Sequence, residues 1–338
     1  MDKDIHREGK IPAPSTEIDD LLDRRLKLPD QKENSVLLLL PMSGNNECIG
    51  RNILNACLLA VNNAQSIDFY VVDAAARDKC AIHNRLRNKK LRAIIGPVFY
   101  HETTQYGALF PNVPILSFSN NLQINSDHVF ACGLSLQDEI RALFAYAKSR
   151  QINSFLAMLP DGEWGNQILE VVKHELETYG LEEGDDLEII RYASISRKAA
   201  TKYAKNSNKK AVFVVSPILN MSKLEDMQVF TLSSMALSNR EVWEGAIFAF
   251  ADNQEQREFV EKYYSVFGTR PSTLDMIAYD LVNVVKESVT SGNPIVQTSY
   301  RGCLGEFSLD KKKGLTRKLS VFQLQDSKKI ELSADQED

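Results

Sequence analysis

Short, continuously apolar runs alternate with amphipathic segments along most of the chain. Val36–Leu40 is apolar throughout and is followed by Pro41 and Gly44, a pattern typical of a buried strand that enters a loop. Segment 49–60 then carries apolar residues at helical spacing. Because the strand-like runs do not alternate with polar residues, we expect helices to cover both faces of their sheet.

The same alternation continues through the first half of the chain. We expect further strands at 69–72, 91–95 and 113–118, with helices around 78–88 and 102–110 between them. Repeated strand–helix units of this kind predict stacked βαβ units and a parallel sheet.

A second series of strands and helices follows at roughly 134–245. It predicts helices at 140–147 and 169–179 and strands at 155–159, 187–192, 211–215 and 228–232. A long helical stretch at 253–289 is broken at 268–271, and the tail at 302–332 is β-rich, with a strand at 319–322. The first 34 residues are rich in charge and proline, with one short helical patch at 18–28, and we interpret them as a flexible arm or linker.

Several segments carry a resemblance to a known family. VLLLLPMSG at 36–44, Ile49-Gly50, IIGPV at 94–98 and VPILSFS at 113–119 resemble the type I periplasmic binding proteins in order and spacing. GLSLQDE at 133–139 and LPDGEWG at 159–165 are similar to the penicillin-binding-protein activator lipoproteins, the LpoA C-domain-like branch related to Leu/Ile/Val-binding proteins.

This resemblance implies a two-lobed α/β fold in which each lobe is a parallel sheet flanked by helices. Hinge strands would cross between the lobes more than once. We therefore expect the arm at 1–34, lobe 1 at 35–133 plus about 250–300, and lobe 2 at 134–249 plus about 301–335.

Parallel sheets bind ligands beyond the carboxyl ends of their strands, so two facing lobes would form a cleft there. The candidate ligand-binding residues lie in those loops and are Ser43, Tyr100, Ser117, Ser119, Asn121, Ser135, Asp161, Trp164, Ser216 and Ser233. Small polar residues offer neutral hydrogen-bonding groups, but they also simply favour loops. Asp161 is open to a second interpretation as a helix cap, and Trp164 as either a cleft wall or a packed lid.

Composition narrows the range of functions. The 338 residues carry a net charge of −5, which disfavours general binding to nucleic acid or to an anionic membrane. No apolar run reaches the roughly 18 residues of a membrane-spanning helix. Phosphate-binding, dinucleotide, zinc-protease and serine-hydrolase motifs are all missing, so we expect no catalytic residues, no cofactor and no metal.

The five cysteines, Cys48, Cys57, Cys80, Cys132 and Cys303, show no C-x-x-C spacing. One bridge, for example Cys57 to Cys80, stays open as an alternative to buried, small apolar thiols.

The amino terminus lacks the apolar core of a signal peptide. Either the protein is cytosolic, or a targeting segment has been removed from this sequence. The resemblance implies the periplasm, often as an outer-membrane lipoprotein whose lipid anchor this sequence does not contain.

The resemblance leaves two functional hypotheses. Amino-acid receptors of the family have small hydroxyl residues after the IIGPV strand, where this chain has Phe99, Tyr100 and His101. The loop after 228–232 also lacks the carboxylate that would pair an ammonium group. We therefore predict a non-enzymatic module that binds and activates a peptidoglycan synthase, a penicillin-binding protein. The alternative is a receptor that delivers a small polar metabolite or amino acid to an ABC transporter permease.

Overall fold

The computed structural model describes residues 34–61, 67–76, 78–86, 89–224, 226–296, 299–310 and 314–332. The arm expected at 1–34, with its helical patch at 18–28, lies outside these residues apart from Asn34.

Strands and helices alternate through the described chain. The elements up to residue 133 are β1 Ser35–Leu40, α1 Glu47–Val61, β2 Asp68–Asp73, α2 Lys79–Leu86, β3 Leu91–Ile95, α3 Tyr100–Leu109, β4 Ile115–Ser117 and β5 Val129–Ala131. From 134 to 252 they are α4 Leu136–Ser149, β6 Phe155–Pro160, α5 Glu163–Thr178, β7 Leu187–Tyr192, α6 Arg197–Asn206, β8 Ala211–Val214, β9 Gln228–Phe230, α7 Ser233–Ser238 and β10 Ile247–Phe250. The remainder forms α8 Gln254–Phe267, α9 Thr273–Ser291, β11 Ser299–Gly302, β12 Gly305–Asp310, β13 Gly314–Arg317, β14 Ser320–Gln325 and β15 Lys328–Leu332.

The chain divides into two compact units. Among the described residues, unit 1 takes the chain up to Gly133, together with Asn253–Cys303 and Phe307–Leu315. Unit 2 takes Leu134–Asp252, Leu304–Glu306 and the chain from Thr316 onward. Each unit is therefore assembled from separated segments.

The same strand order occurs in both units. The sheet of unit 1 runs β2-β1-β3-β4-β5, and its neighbouring strands pair in parallel. The sheet of unit 2 contains β7-β6-β8-β9-β10, again parallel. Strand order therefore reverses between β1 and β3 in unit 1 and between β6 and β8 in unit 2, and such reversals open a crevice at the carboxyl ends of the strands.

The expected α/β fold is confirmed, with one difference in the second sheet. That sheet is mixed, because β14 pairs antiparallel with β10 and β15 pairs antiparallel with β14. A two-residue turn at Asp326 and Ser327, both with positive φ, joins β14 to β15. Turns of this geometry match the twist of an antiparallel hairpin, whereas a parallel neighbour would need a long crossover.

Four elements were not expected from the sequence. β5 and β10 are two of them, with three and four residues. Helix α6 is largely polar and buries only the narrow face of Ala200, Thr201 and Ala204. The segment 233–236, which we expected to be a loop, begins α7 instead.

All five cysteines are free thiols, so the bridge between Cys57 and Cys80 is not formed. Cys57, Cys132 and Cys303 are buried, as expected of small apolar residues, while Cys48 and Cys80 are exposed.

A close approach between a helix and the end of the preceding strand recurs in both units. A Cβ atom on Gly50 of α1 would overlap the carbonyl oxygen of Pro41, and one on Gly165 of α5 would overlap the carbonyl oxygen of Pro160. Only glycine lets the helix backbone lie this near the strand end. Both contacts lie beside a crevice strand, the name used here for the four strands that flank the two reversals of strand order, β1, β3, β6 and β8.

We expect Gly50→Ala and Gly165→Ala each to lower the free energy of unfolding by about 2 kcal/mol, because the added methyl must push backbone apart. Gly107→Ala in α3 is the matched control, since its Cβ would meet only a Val129 methyl at 3.2 Å, a flexible contact. Urea denaturation followed by circular dichroism measures all three. Equal stability of the three variants would show that the close approach at Gly50 and Gly165 does not require glycine.

Candidate functional site

The candidate residues of unit 1 lie at the carboxyl edge of its sheet, beside the reversal between β1 and β3. Ser43 follows β1 and is exposed, and its hydroxyl donates to Oδ2 of Asp73 at 2.5 Å. The backbone N–H groups of Met42 and Ala75 donate to Oδ1 of the same carboxylate at 2.9 and 3.1 Å. Partial burial alone would raise the pKa of Asp73, but these hydrogen bonds outweigh it and hold the pKa below 3.8.

Ser117 is fully buried and is hydrogen-bonded within unit 1. Its hydroxyl donates to the carbonyl oxygen of Pro97 at 3.0 Å and lies 2.7 Å from the hydroxyl of Thr103. It also accepts from the backbone N–H of Ser119 at 3.1 Å. Ser117 therefore ties the ends of β3 and β4 to the first turn of α3.

Ser119 and Asn121 continue this chain of local bonds. The Ser119 hydroxyl accepts from the backbone N–H of Asn121 at 3.2 Å, and Oδ1 of Asn121 accepts from the backbone N–H of Gln123 at 2.9 Å. The structure thus brings Ser117, Ser119 and Asn121 together, in a loop whose hydrogen-bonding groups serve mainly each other.

Tyr100 differs from these residues because it is the first residue of α3 and 45% exposed. It places a large aromatic ring at the end of the crevice strand β3.

In unit 2, Ser135 and Ser233 are both buried around the first turn of α4. The Ser135 hydroxyl caps α4 by accepting from the backbone N–H of Gln137 at 3.2 Å. The backbone N–H of Ser233 donates to Oε2 of Glu139, on the next turn, at 2.7 Å. Both serines therefore act in holding the unit together.

Asp138 and Glu139 stabilise the fold, and neither was among the candidate residues predicted from the sequence. Asp138 is 3% exposed, and its Oδ2 accepts from the backbone N–H of Arg317 at 3.1 Å while Oδ1 pairs with Arg141 at 3.1 Å. Ser135 with Asp138 forms an S-x-x-D pattern, a helix-start signal that could have drawn attention to this turn.

The remaining candidates follow β6 and β8. The helix-cap interpretation of Asp161 is wrong, because Gly162 occupies the N-cap of α5 and no side chain caps it. The Asp161 carboxylate is 54% exposed and lies 3.7 Å from Nε of Arg191. Trp164 is 43% exposed, and Ser216 is half-buried after β8.

Within the residues that the structure describes, no three metal-ligating side chains cluster. Over the same part of the chain, no helix combines the length and apolar character needed to cross a membrane.

Glu139 is the group in this region whose charge state is most strongly perturbed. Burial raises its pKa from 4.5 to about 7, although hydrogen bonds from Ser233 favour the ionised form, and the neighbouring Asp138 raises it further. An acid whose pKa is higher in the folded chain favours the folded state at low pH. That stabilisation is complete below 4.5 and is lost as pH rises through 7.

We therefore expect Glu139→Gln, which is neutral at every pH and keeps an oxygen for Ser233, to gain stability relative to the wild type as pH rises. The gain between pH 5 and 8 should be on the order of 3 kcal/mol. Urea denaturation at both pH values measures it, and Glu163→Gln, at an exposed carboxyl in the first turn of α5, controls for loss of a charge. If the difference in stability between Glu139→Gln and the wild type does not change with pH, the raised pKa of Glu139 is refuted.

No protein-family model matches this chain. An uncharacterized protein of Rickettsia prowazekii is 24% identical over 178 residues, which is 51% of this chain and 44% of that protein. The penicillin-binding protein activator LpoA of Vibrio antiquarius is 26% identical over 165 residues, which is 46% of this chain and 27% of that protein. The match therefore spans less than half the length of these curated relatives.

Solved structures resemble the chain over most of its length. The LpoA C-domain of Haemophilus influenzae, a regulator of PBP1A, has a TM-score of 0.70 at 16% identity and covers 88% of this chain and 100% of that one. A putative branched-chain amino acid ABC transporter protein of Rhodospirillum rubrum has a TM-score of 0.76 at 16% identity. The similarity covers 88% of this chain and 99% of that one. A periplasmic ligand-binding protein of a branched-chain amino acid transporter from Burkholderia xenovorans has a TM-score of 0.69 at 13% identity. The similarity covers 88% of this chain and 94% of that one.

Likeness at these identities shows the fold. This chain has the two-lobed fold of the type I periplasmic binding proteins, which the LpoA C-domain shares, and part of its sequence is similar to a penicillin-binding protein activator.

Proposed function

We propose that this chain is a non-enzymatic module of the cell envelope that binds a peptidoglycan synthase and raises its activity. The observation that carries the proposal is that sequence and fold independently resemble the same protein, LpoA. Its partner would then be a penicillin-binding protein, and its location the periplasm, with any membrane attachment through a lipid anchor.

The chemistry of the carboxyl edges favours a protein partner over a small solute. Ser117, Ser119, Ser135 and Ser233 are buried and engaged within their own unit, so they offer little to a ligand. The large hydrophobic side chains that are exposed at these edges, Tyr100 and Trp164, are aromatic. Exposed tyrosine and tryptophan are the residue types that dominate protein–protein contact energies.

Tyr100 and Trp164 are accordingly the residues that we assign to partner contact. Both lie at the start of a helix that follows a crevice strand, Tyr100 in unit 1 and Trp164 in unit 2. Each presents an apolar ring with a polar group at its edge, which suits a partly wet protein interface.

We expect Tyr100→Ala and Trp164→Ala each to weaken synthase binding about tenfold, or about 1.4 kcal/mol. Binding of the full chain to a purified bifunctional penicillin-binding protein, with glycan polymerisation and peptide cross-linking rates alongside, measures the effect. Tyr264→Ala is the matched control, because Tyr264 is 56% exposed on α8 and follows no crevice strand. Failure of the wild-type chain to bind or stimulate the synthase would overturn the proposed function.

A solute receptor for an amino acid or small polar metabolite is the second candidate. The similarity in fold to the Rhodospirillum rubrum transporter protein favours it. Exposed Ser43, Asn45 and Asn46 after β1 could offer polar contacts to such a solute.

Under the receptor hypothesis, a cognate amino acid at 100 times its Kd should stabilise the chain by about 2.7 kcal/mol. Under the activator hypothesis, we expect no thermal shift with any of the twenty amino acids. A shift with leucine, isoleucine or valine would reverse the ranking of the two functions.

A further inference from the structure

A groove of about 670 Å³ lies in unit 2, at one edge of its sheet. Its walls come from β7, which ends the strand order of that sheet, from one face of α6 and from the loop that follows this helix. We call it the α6 groove. Its volume lies within the range of small-molecule sites. Neither Tyr100 nor Trp164 lines it, so the α6 groove is independent of the proposed contact with a synthase.

The wall from α6 is a single face of the helix. Ala199, Lys202, Tyr203 and Asn206 line the groove, and their spacing of three and four residues places them side by side along α6. The buried residues of this helix are all small. The one large aromatic side chain of α6 is therefore presented to the groove and not to the core.

Tyr203 is an exposed ring that is tethered at one end. Its side chain is 41% exposed, and its hydroxyl donates to Oε1 of Glu188 on β7 at 2.5 Å. This hydrogen bond raises the pKa of the Tyr203 hydroxyl, and slight burial and the negative charge of Glu188 raise it further. The donated proton is thus retained at neutral pH, and the ring is held against β7 while part of its surface stays open to a ligand.

The loop after α6 supplies neutral hydrogen-bonding groups. Asn206 and Asn208 are exposed, and each amide offers both N–H donors and an acceptor oxygen. The structure gives neither of these side chains a hydrogen bond to another described residue. The hydroxyl of Ser207 accepts from the backbone N–H of Lys209 at 3.2 Å and keeps its own proton to donate.

The charges of the lining restrict the class of ligand. One carboxylate, Glu188, and one ammonium, Lys202, line the groove, so the lining favours neither an anion nor a cation. The other lysines of α6 lie outside the lining. A matching ligand has an apolar face for the ring of Tyr203 and several uncharged polar groups around that face.

We propose that the α6 groove binds an oligosaccharide of neutral sugars. A pyranose ring has a face of C–H groups, whose partial positive charge suits the electron-rich face of an aromatic ring. Its hydroxyl groups lie around the rim, where they both donate and accept hydrogen bonds. Tyr203 stacks on the sugar face, and Asn206, Asn208 and Glu188 bind the rim hydroxyls.

Isothermal titration calorimetry of the full chain with four probes tests the proposal. Cellotetraose and tetra-N-acetylchitotetraose are neutral sugars, sorbitol carries hydroxyl groups without a ring, and trigalacturonic acid is an anionic sugar. We expect at least one neutral tetrasaccharide to bind with a Kd of about 1 mM or less, with little change when salt is raised. The preferred tetrasaccharide shows whether N-acetyl groups are recognised.

Three results with these probes would overturn the proposal. They are no binding of either neutral tetrasaccharide at about 10 mM, equal binding of sorbitol, and binding of trigalacturonic acid alone. The last result, with loss of binding at high salt, would assign the interaction to the charge of the α6 lysines.

Variants then locate the binding. We expect Tyr203→Ala, and separately Asn206→Ala/Asn208→Ala, to weaken tetrasaccharide binding about tenfold, and Tyr203→Phe, which keeps the ring, to stay within about threefold of the wild type. Tyr264→Ala, which removes an exposed ring from α8 in unit 1, is the matched control and should bind as the wild type does. These side chains are exposed, and circular dichroism checks that each variant is folded. Unchanged affinity of Tyr203→Ala would refute this site, and an equal loss for Tyr203→Phe would refute stacking on the ring.

Discussion

Two adjacent buried carboxyl groups at the start of α4 hold unit 2 together. Asp138 accepts the backbone N–H of Arg317, 179 residues further along the chain, and Glu139 accepts that of Ser233, 94 residues away. The bond to Arg317 joins the segment Leu134–Asp252 to the chain that returns at Thr316, whose buried backbone donors must be satisfied, and the bond to Ser233 joins distant parts of the first of these segments. No disulfide shares this task, since all five cysteines are free.

The same requirement applies to polar residues of the candidate loops, several of which form hydrogen bonds within their own unit. The buried carboxyl group of Glu139 is costly to ionise even with hydrogen bonds from the backbone and the side chain of Ser233, which therefore acts as its structural partner. Ser117 has the corresponding role in unit 1, where its hydroxyl joins two strand ends to a helix. In unit 1 these hydrogen bonds join the ends of β3 and β4 to the first turn of α3, which begins with the exposed Tyr100.

Most of the fold could be predicted from the sequence because long apolar runs such as Val36–Leu40 mark buried strands. The antiparallel pairing of β14 could not, because it depends on the turn at Asp326 and Ser327 and on the neighbouring β10 rather than on the strand's own pattern. The candidate site was harder to predict, because the partner of a serine or carboxylate is set by tertiary contacts. Sequence alone left Asp161 open as either a ligand-binding residue or a helix cap, whereas Gly162, with a positive φ, occupies the N-cap of α5.

Unit 1 also shows that similar side chains can have different roles within one fold. The exposed Tyr100 follows a crevice strand, where loop residues vary without disturbing the sheet. Tyr300 and Asp280 instead lie in the wall of an aromatic cavity between helices, where the carboxylate is fixed by a backbone N–H and cannot leave. Exposure at a strand end and packing in a cavity wall therefore give two tyrosines of unit 1 different structural roles.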